Sequence, residues 1–209
     1  MTGRVAGVEH EFEVRRDGSP VDFPRILGEL DLAGRRLDPG DPNAVRCAWG
    51  GVITSDGPEA EIAIPPVQVE PGATSTVLDL LRAGRSSLES ALAANDPRLS
   101  LRGYSTHLSI EIPDRVVSRV AKQFARRLAL EIILLIDAPD SPGLLVRPRR
   151  NRLELGGEFV DGDDALIVHV GEVQAVVVPP RSFGEGQTGE QRLSRGHGSD
   201  RTRPAARLG

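Results

Sequence analysis

Acidic side chains occupy every second position in residues 7–14 (GVEHEFEV), near the start of the chain. This alternation predicts a β-strand, because successive side chains of a strand point to opposite faces of the sheet. Glu9, Glu11 and Glu13 would then form a row on one face, about 7 Å apart in a regular strand. Such a row repels itself unless a cation lies above it, and a hard divalent ion such as Mg2+ or Mn2+ is the natural partner. A half-buried strand with a solvated acidic face is the alternative interpretation.

Three later segments also place polar side chains on one face and apolar side chains on the other. Residues 59–64, 101–112 and 152–155 alternate in this way, and their polar faces hold Glu59, Glu61, His107, Ser109, Glu111, Arg152 and Glu154. In neighbouring strands these carboxylates would repel one another unless cations bind between them. Glutamates with one histidine suit Mg2+ or Mn2+ carrying substrate phosphates. The four segments therefore predict a metal-binding face of one sheet.

Two helices and a hairpin would position this face. Apolar residues at helical spacing predict a helix over residues 74–95 and a longer one over residues 114–137. The apolar end of the longer helix predicts burial against a sheet. Asp56-Gly57 is a tight-turn signal, and it predicts a hairpin that leads into the strand of residues 59–64. The expected fold class is α+β, with a mainly antiparallel sheet backed by helices.

Composition excludes several classes of protein. The chain has 209 residues, a net charge of −4 and 27% charged residues, which fits a globular protein and argues against a general nucleic-acid binder. A single cysteine, Cys47, excludes an internal disulfide and a multi-cysteine zinc site. No signal peptide is evident and no apolar run is long enough to span a bilayer, so we expect a cytoplasmic protein without a membrane partner.

The composition changes towards the end of the printed sequence. Residues 165–178 are rich in valine and isoleucine and are typical of a strand, whereas residues from 179 onward are mostly Arg, Gly, Ser, Pro and Gln. The later segment lacks the apolar side chains that would anchor it to a core. We therefore predict one domain over residues 1–178 and a disordered, dispensable tail over residues 179–209.

The four strand segments resemble the glutamate–cysteine ligase family and related carboxylate–amine ligases of the glutamine synthetase superfamily. Residues 7–12 (GVEHEF) are similar to the family's Gly-x-Glu-x-Glu opening strand, and residues 59–66 (EAEIAIPP) to its second acidic strand. Residues 107–109 (HLS) resemble its histidine-containing metal strand, and residues 152–154 (RLE) the first part of its Arg-x-Glu-x-Arg strand. The motifs occur in the expected order.

The resemblance implies a curved, mainly antiparallel sheet backed by helices, with ATP and Mg2+ ions in its concave face. The implied function is an ATP- and Mg2+-dependent carboxylate–amine ligase, which forms an amide bond between small amino-acid substrates through an acyl phosphate. By the same resemblance Arg152 would neutralise phosphate charge in the transition state, and metal would be held by Glu9, Glu11, Glu59, Glu61, His107 and Glu154. Phosphoryl transfer depends mainly on positioning and charge neutralisation, which metal ions and arginine supply.

Two features depart from the family pattern. Gly156 stands where the second arginine of the Arg-x-Glu-x-Arg strand is expected, which removes one phosphate contact. Arg147, Arg149 and Arg150 lie nearby and are candidates to bind the nucleotide instead, with a solvated arginine-rich loop as the other interpretation. The family's domain also continues past the point where this chain changes character, so a shortened relative is expected.

Two further functions are left open by the sequence. A non-catalytic relative would bind a metal–nucleotide or an amino acid, or serve as a structural subunit, and an inert scaffold would bind no ligand. The carboxylate substrate, the amine substrate and the oligomeric state, including a homo-oligomer, are left open as well. His10 lies on the apolar face of its strand and is interpreted as a core histidine. Cys47 has no activating base beside it and is interpreted as structural.

Overall fold

An antiparallel sheet of ten strands, with helices, makes up the described part of the chain, which is residues 4–135 and 142–160 of a computed structural model. Its strands are β1 (Val5–Arg16), β2 (Ser19–Pro20), β3 (Arg36–Asp38), β4 (Asp41–Arg46), β5 (Val52–Asp56), β6 (Glu59–Ala63), β7 (Val67–Gln68), β8 (Leu99–Glu111), β9 (Leu145–Arg149) and β10 (Arg152–Glu158). Its helices are α1 (Pro24–Leu27), α2 (Ala73–Asn95), α3 (Asp114–Arg127) and α4 (Ala129–Leu135). The α+β class and the mainly antiparallel sheet are confirmed.

Strand β1 lies in the middle of this sheet. The strand order is β3-β4-β5-β6-β1-β8-β10-β9, and β2 and β7 also pair with β1. Every described strand pair is antiparallel. Because β1 contacts the strands that carry two of the other predicted site segments, its register decides which polar side chains share a face.

The apolar face of the sheet packs against the helices. Val8 of β1 and Leu108 of β8 belong to one buried cluster with Leu81 of α2 and Phe124 of α3. Phe12 of β1 belongs to a second cluster, which also contains buried residues of α1 and α2. Burying one such leucine or phenylalanine side chain contributes about 1.5–3 kcal/mol. The alternation in β1 therefore sends its apolar residues into the core and its glutamates to the opposite face.

Gly84 lies in α2 where this helix meets the sheet. A Cβ at this position would lie 2.6 Å from the Ile62 side chain and 3.0 Å from the Trp49 ring. Alanine usually stabilises a helix by about 1 kcal/mol relative to glycine. We expect Gly84→Ala to destabilise this protein by about 1–3 kcal/mol instead, because the added methyl group overpacks the contact. Urea unfolding measures the change, with exposed Ser86→Ala as the control, and a gain in stability for Gly84→Ala would contradict the close packing.

The helix predicted over residues 114–137 is divided, so this prediction is wrong in its continuity. Helix α3 ends at Arg127, Leu128 has a φ of −123°, and α4 begins at Ala129. The predicted burial of the apolar end is correct for Ile132 and wrong for its neighbours. Ile132 is 4% exposed, whereas Ile133 and Leu134 are 51% and 75% exposed. The break thus lets α3 and Ile132 join the same core while one side of α4 faces outward.

Three other expectations concern the ends of the chain and the membrane. The strand predicted over residues 165–178 and the tail predicted over residues 179–209 lie outside the described residues. Within residues 4–135 and 142–160, the structure contains no helix of the length and apolarity that a membrane crossing requires.

Candidate metal centre

The register of β1 brings most of the predicted site residues to one face of the sheet. Glu11 pairs with Glu61 of β6 on one side, and Glu9 pairs with His107 of β8 on the other. Directly paired residues of antiparallel strands lie on the same face. Glu154 of β10 reaches this face too, since it pairs with Ser109, two residues beyond His107. The expected common face is therefore present.

Three carboxylates on this face approach closely enough to share one cation. Glu11, Asp56 and Glu61, which we call the acidic centre, each offer an oxygen atom, and these atoms all lie within 4.8 Å of one another. Glu11 is buried, Glu61 is half-buried and Asp56 is exposed. A set of carboxylate oxygens with one exposed member suits a hard divalent cation that keeps some of its water. The acidic centre is thus a candidate site for Mg2+ or Mn2+.

Glu11 lies deepest in the acidic centre. Its side chain is buried from solvent, and the Ser105 hydroxyl donates a hydrogen bond to its Oε2. Its Oε1 is buried and accepts no hydrogen bond within the described ranges. Burying a polar oxygen without a hydrogen-bond donor costs about 1–3 kcal/mol, and more when the group is charged. A cation in the acidic centre would satisfy this oxygen.

Burial and mutual repulsion disfavour the ionised forms of these carboxyl groups when no cation is bound. Burial raises the pKa of Glu11. Burial, followed by repulsion from Glu9, Glu11 and Asp56, raises the pKa of Glu61 to about 8. A bound cation reverses this effect, because it favours the ionised carboxylate.

His107 lies at the edge of the acidic centre. Its Nδ1 is 3.3 Å from Oε1 of Glu11 and 3.7 Å from Oε2 of Glu9. Its Nε2 is 3.5 Å from the hydroxyl oxygen of Ser105. The Glu9 carboxylate raises the pKa of His107, although burial opposes this effect. The imidazole therefore lies where it can either pair with the carboxylates or act as a nitrogen ligand to a cation.

Glu154 is surrounded by arginine side chains and lies outside the acidic centre. Its carboxylate oxygens are 3.1 Å from Arg147, 3.2 Å from Arg149 and 3.5 Å from Arg152. We call these three residues the arginine cluster. Its members are 42–50% exposed, whereas the Glu154 side chain is only 6% exposed. Arg150 lies in the turn between β9 and β10. The metal role of Glu154 and the phosphate role of Arg152 stay predictions.

Two other glutamates on this face, Glu59 and Glu13, do not belong to the acidic centre. Glu59 pairs with Asp56 at the end of the β5–β6 hairpin, and only Asp56 belongs to the acidic centre. Glu13 is 3.4 Å from Arg15 and 3.8 Å from Arg102, so arginine neutralises this end of the row. The metal role of Glu59 stays a prediction.

Asp56 is the member of the acidic centre that the sequence analysis used only as a turn residue. The two-residue turn after it places Asp56 opposite Glu59, and the same register places Thr54 opposite Glu61. Asp56 therefore shares a face with Glu61. Combining the turn signal with the period of β6 would have found this residue.

His10 and Cys47 have the structural environments that their sequence positions predict. His10 is buried, and its ring centroid lies 4.8 Å from that of Phe159 and 6.0 Å from that of Phe12. Cys47 is buried as well, and burial raises the pKa of its thiol. A raised thiol pKa disfavours the reactive thiolate.

Comparison with known proteins adds no relative to this description. No family model matches the chain, and no curated protein or solved structure is significantly similar to it. The resemblance of its motifs to carboxylate–amine ligases therefore stays a prediction.

Proposed function

We propose that the protein binds Mg2+ or Mn2+ at the acidic centre and uses the cation to hold a phosphate-bearing ligand. The observation that carries this proposal is the close approach of Glu11, Asp56 and Glu61, which each offer an oxygen atom within 4.8 Å of the others. The buried Oε1 atom of Glu11 makes no hydrogen bond in the described part of the chain, although Nδ1 of His107 lies 3.3 Å from it. Glu11 and Glu61 have raised pKa values because both are buried and because neighbouring carboxylates repel their charges. A divalent cation relieves both the repulsion and the missing contact.

The chemistry of the ligand atoms favours hard cations such as Mg2+ and Mn2+ over zinc. The acidic centre offers carboxylate oxygens, and the described residues around it supply one imidazole and no thiol. Oxygen ligands suit Mg2+, Ca2+ and Mn2+, whereas structural zinc sites use mainly cysteine and histidine. Three protein ligands leave room for water or phosphate oxygens, as Mg2+ sites that hold nucleotides require.

The arginine cluster supports a phosphate-bearing ligand. Its three arginines surround Glu154, which lies on the same face as the acidic centre, two positions along β10 from Gly156, the residue opposite His107. Guanidinium groups bind phosphate oxygens in pairs of parallel hydrogen bonds. A ligand between the two groups would meet a cation at one end and arginine at the other.

The reaction that fits these parts is ATP-dependent carboxylate–amine ligation. Bound Mg2+ would offset the charge of the phosphate oxygens, and Arg152 would stabilise the charge that develops during transfer to a substrate carboxylate. The amine of a second small amino acid would then displace phosphate and form the amide. The residues supply positioning and charge, which is most of what phosphoryl transfer needs.

A non-catalytic binder of a metal–nucleotide is the second candidate. The observation that favours it is Glu154, whose carboxylate already pairs with all three arginines of the arginine cluster. Arginines neutralised in this way are less available for a reacting phosphate. Hydrolysis of ATP, or amide formation with a panel of amino acids, separates the catalytic candidate from the binder.

Thermal unfolding with and without millimolar Mg2+ or Mn2+ tests the metal centre. Binding to the folded state adds about 2.7 kcal/mol at a free concentration of one hundred times Kd, and for a domain of this size that corresponds to roughly 5–10 °C in Tm. Glu11→Gln should remove this response, because it removes the buried charge of the acidic centre.

Glu13→Gln is the matched control, since Glu13 lies on the same face of β1 as Glu11 but outside the acidic centre, beside Arg15 and Arg102. We expect Glu13→Gln to keep most of the metal response. If wild-type protein shows no response to either metal, or if both variants lose it equally, the acidic centre does not bind the cation. Addition of ATP with the metal should raise Tm further if a nucleotide binds.

A further inference from the structure

Gly156 of β10 lies directly opposite His107 of β8. A Cβ built on Gly156 would lie 2.4 Å from Cδ2 and 2.8 Å from Nε2 of the His107 ring. Contacts this short do not occur between real side chains. No residue other than glycine therefore fits at this position while the ring keeps its place.

The position of the His107 ring determines how close its Nδ1 atom lies to Glu11 of the acidic centre. The side of the His107 ring that carries Nδ1 faces Glu11 at 3.3 Å, and the side that carries Nε2 and Cδ2 faces Gly156. A side chain at position 156 would therefore have to displace the ring or the backbone, and either displacement changes the distance from Nδ1 to Glu11. The absence of a side chain at position 156 therefore fixes the position of Nδ1 of His107 beside Glu9 and Glu11.

We propose that Gly156 is a positioning residue, whose missing side chain seats the His107 imidazole against the acidic centre so that a bound cation gains a nitrogen ligand. This inference rests on the proposed metal centre.

The position of the His107 imidazole should affect which metal ions bind tightly. Mg2+ binds oxygen ligands and gains little from an imidazole. Affinity for mixed nitrogen and oxygen sites rises along the first-row metals from Mn2+ to Ni2+, and imidazole is a good ligand for the later ones. Co2+ is therefore a sensitive probe of the His107 nitrogen, and Mg2+ is the insensitive reference.

The experiment compares Gly156→Ala with Gly157→Ala. Gly157 is the next residue of β10 and is buried too, but a Cβ there meets no atom within 4 Å. Titration calorimetry of the full chain gives the affinities for Co2+ and Mg2+. Displacing a group that orients a ligand typically costs 10–100-fold in metal affinity, so Gly156→Ala should weaken Co2+ binding by at least about tenfold and Mg2+ binding by less.

Two further measurements separate positioning from a general loss of structure. The imidazole resonances of His107 in metal-free protein should move in Gly156→Ala and stay in place in Gly157→Ala. In a His107→Ala background the contact no longer exists, so adding Gly156→Ala should change neither stability nor Co2+ affinity further. If Gly156→Ala alone fails to fold, recovery of folding in the double variant supports the inference.

The inference is overturned if Gly156→Ala matches Gly157→Ala in the His107 resonances and the Co2+ affinity. It is also overturned if Gly156→Ala causes the same loss when His107 is already alanine, because another contact, such as that with Leu145, then explains the effect. Absence of Co2+ and Mg2+ binding in wild-type protein would instead reject the metal centre. In that case the resonances and the double variant still decide whether Gly156 positions the ring.

Discussion

Metal-free protein is expected to lose stability as the pH rises from 4.5, the ordinary pKa of a glutamate, to about 8, the pKa of Glu61 in the folded protein. In this range folded Glu61 keeps a proton that the unfolded chain has released. Because the folded state binds more protons, the free energy of unfolding falls as the pH rises. His107 acts in the same direction, since the Glu9 carboxylate raises its pKa and this favourable pairing is lost as the pH rises through the folded value.

Glu61→Gln should remove the part of this pH dependence that Glu61 contributes, while Glu11, whose pKa burial also raises, and His107 keep theirs. The neutral amide has nearly the same shape and takes no part in the repulsion with Glu9, Glu11 and Asp56. A shift of one pKa unit corresponds to about 1.4 kcal/mol, and partial exposure of Glu61 reduces the effect. We therefore expect the variant to be more stable than wild type at pH 8 by about 1–3 kcal/mol, with little difference at pH 5. Urea unfolding in the presence of a chelator measures both values.

Glu59→Gln serves as the control, because it removes one negative charge from the same strand outside the acidic centre. Asp96 adds no slope in this range, since Arg98 lowers its pKa to about 2 and the group stays ionised. A wild-type stability that is flat or rising between pH 5 and pH 8 would contradict the burial and repulsion assigned to Glu61. So would a Glu61→Gln variant that is less stable than wild type at pH 8.

The two faces of β1 could be predicted from its sequence pattern. The period of two in β1 assigns Glu9 and Glu11 to one face and Phe12 to the other, whichever strands lie beside them. The sequence also predicted the hairpin at Asp56-Gly57, which the pairing of β5 with β6 confirms. These predictions succeed because each depends on the backbone geometry of a short segment.

The composition of the acidic centre could not be predicted in the same way. It depends on the register between β1 and β6, which pairs Glu11 with Glu61, and this register joins segments about fifty residues apart. Nothing within either segment fixes such a distant alignment. The prediction therefore gave Glu9, Glu11, Glu59 and Glu61 the same weight as metal ligands. Among the described residues, the structure brings Glu11, Glu61 and Asp56 close together.

The divided helix shows a different limit. Residues 114–137 have apolar positions at helical spacing throughout, so the pattern predicts one helix. The core accepts α3 and Ile132 but leaves Leu130 and Leu134 exposed. The position of the break at Leu128 follows from the fit of two helices against one sheet, which a periodic pattern does not contain.

The arginine cluster follows from a hairpin that the sequence could have predicted. Asn151 has a φ of 57°, a left-handed conformation that asparagine tolerates well, and the turn there pairs Arg152 with Arg149 and Glu154 with Arg147. Without that turn, residues 147–152 read as an arginine-rich loop. With it, positively charged side chains of two strands converge on one carboxylate.

Replacing Glu154 by glutamine is expected to lower the free energy of unfolding and to release the guanidinium groups of the arginine cluster from their ion pairs. The variant keeps the shape of the side chain but leaves Arg147, Arg149 and Arg152 without the carboxylate they share. Removing one partner of a buried ion pair costs about 3–5 kcal/mol. The arginines are 42–50% exposed, so water screens them, and we expect a loss of about 1–3 kcal/mol in urea unfolding.

The same variant should bind tripolyphosphate more tightly than wild type in the absence of metal. Its guanidinium groups are no longer paired with a carboxylate, so phosphate does not have to displace Glu154 from them. Titration calorimetry measures this affinity, and added salt should weaken the binding. Glu111→Gln is the control, since Glu111 is exposed and lies opposite Arg152 in the register of β8 and β10. If Glu154→Gln loses stability but gains no affinity for tripolyphosphate, the arginine cluster serves to bury Glu154 and does not bind phosphate. A gain in affinity that Glu111→Gln does not share would place the phosphate-binding surface at these three arginines.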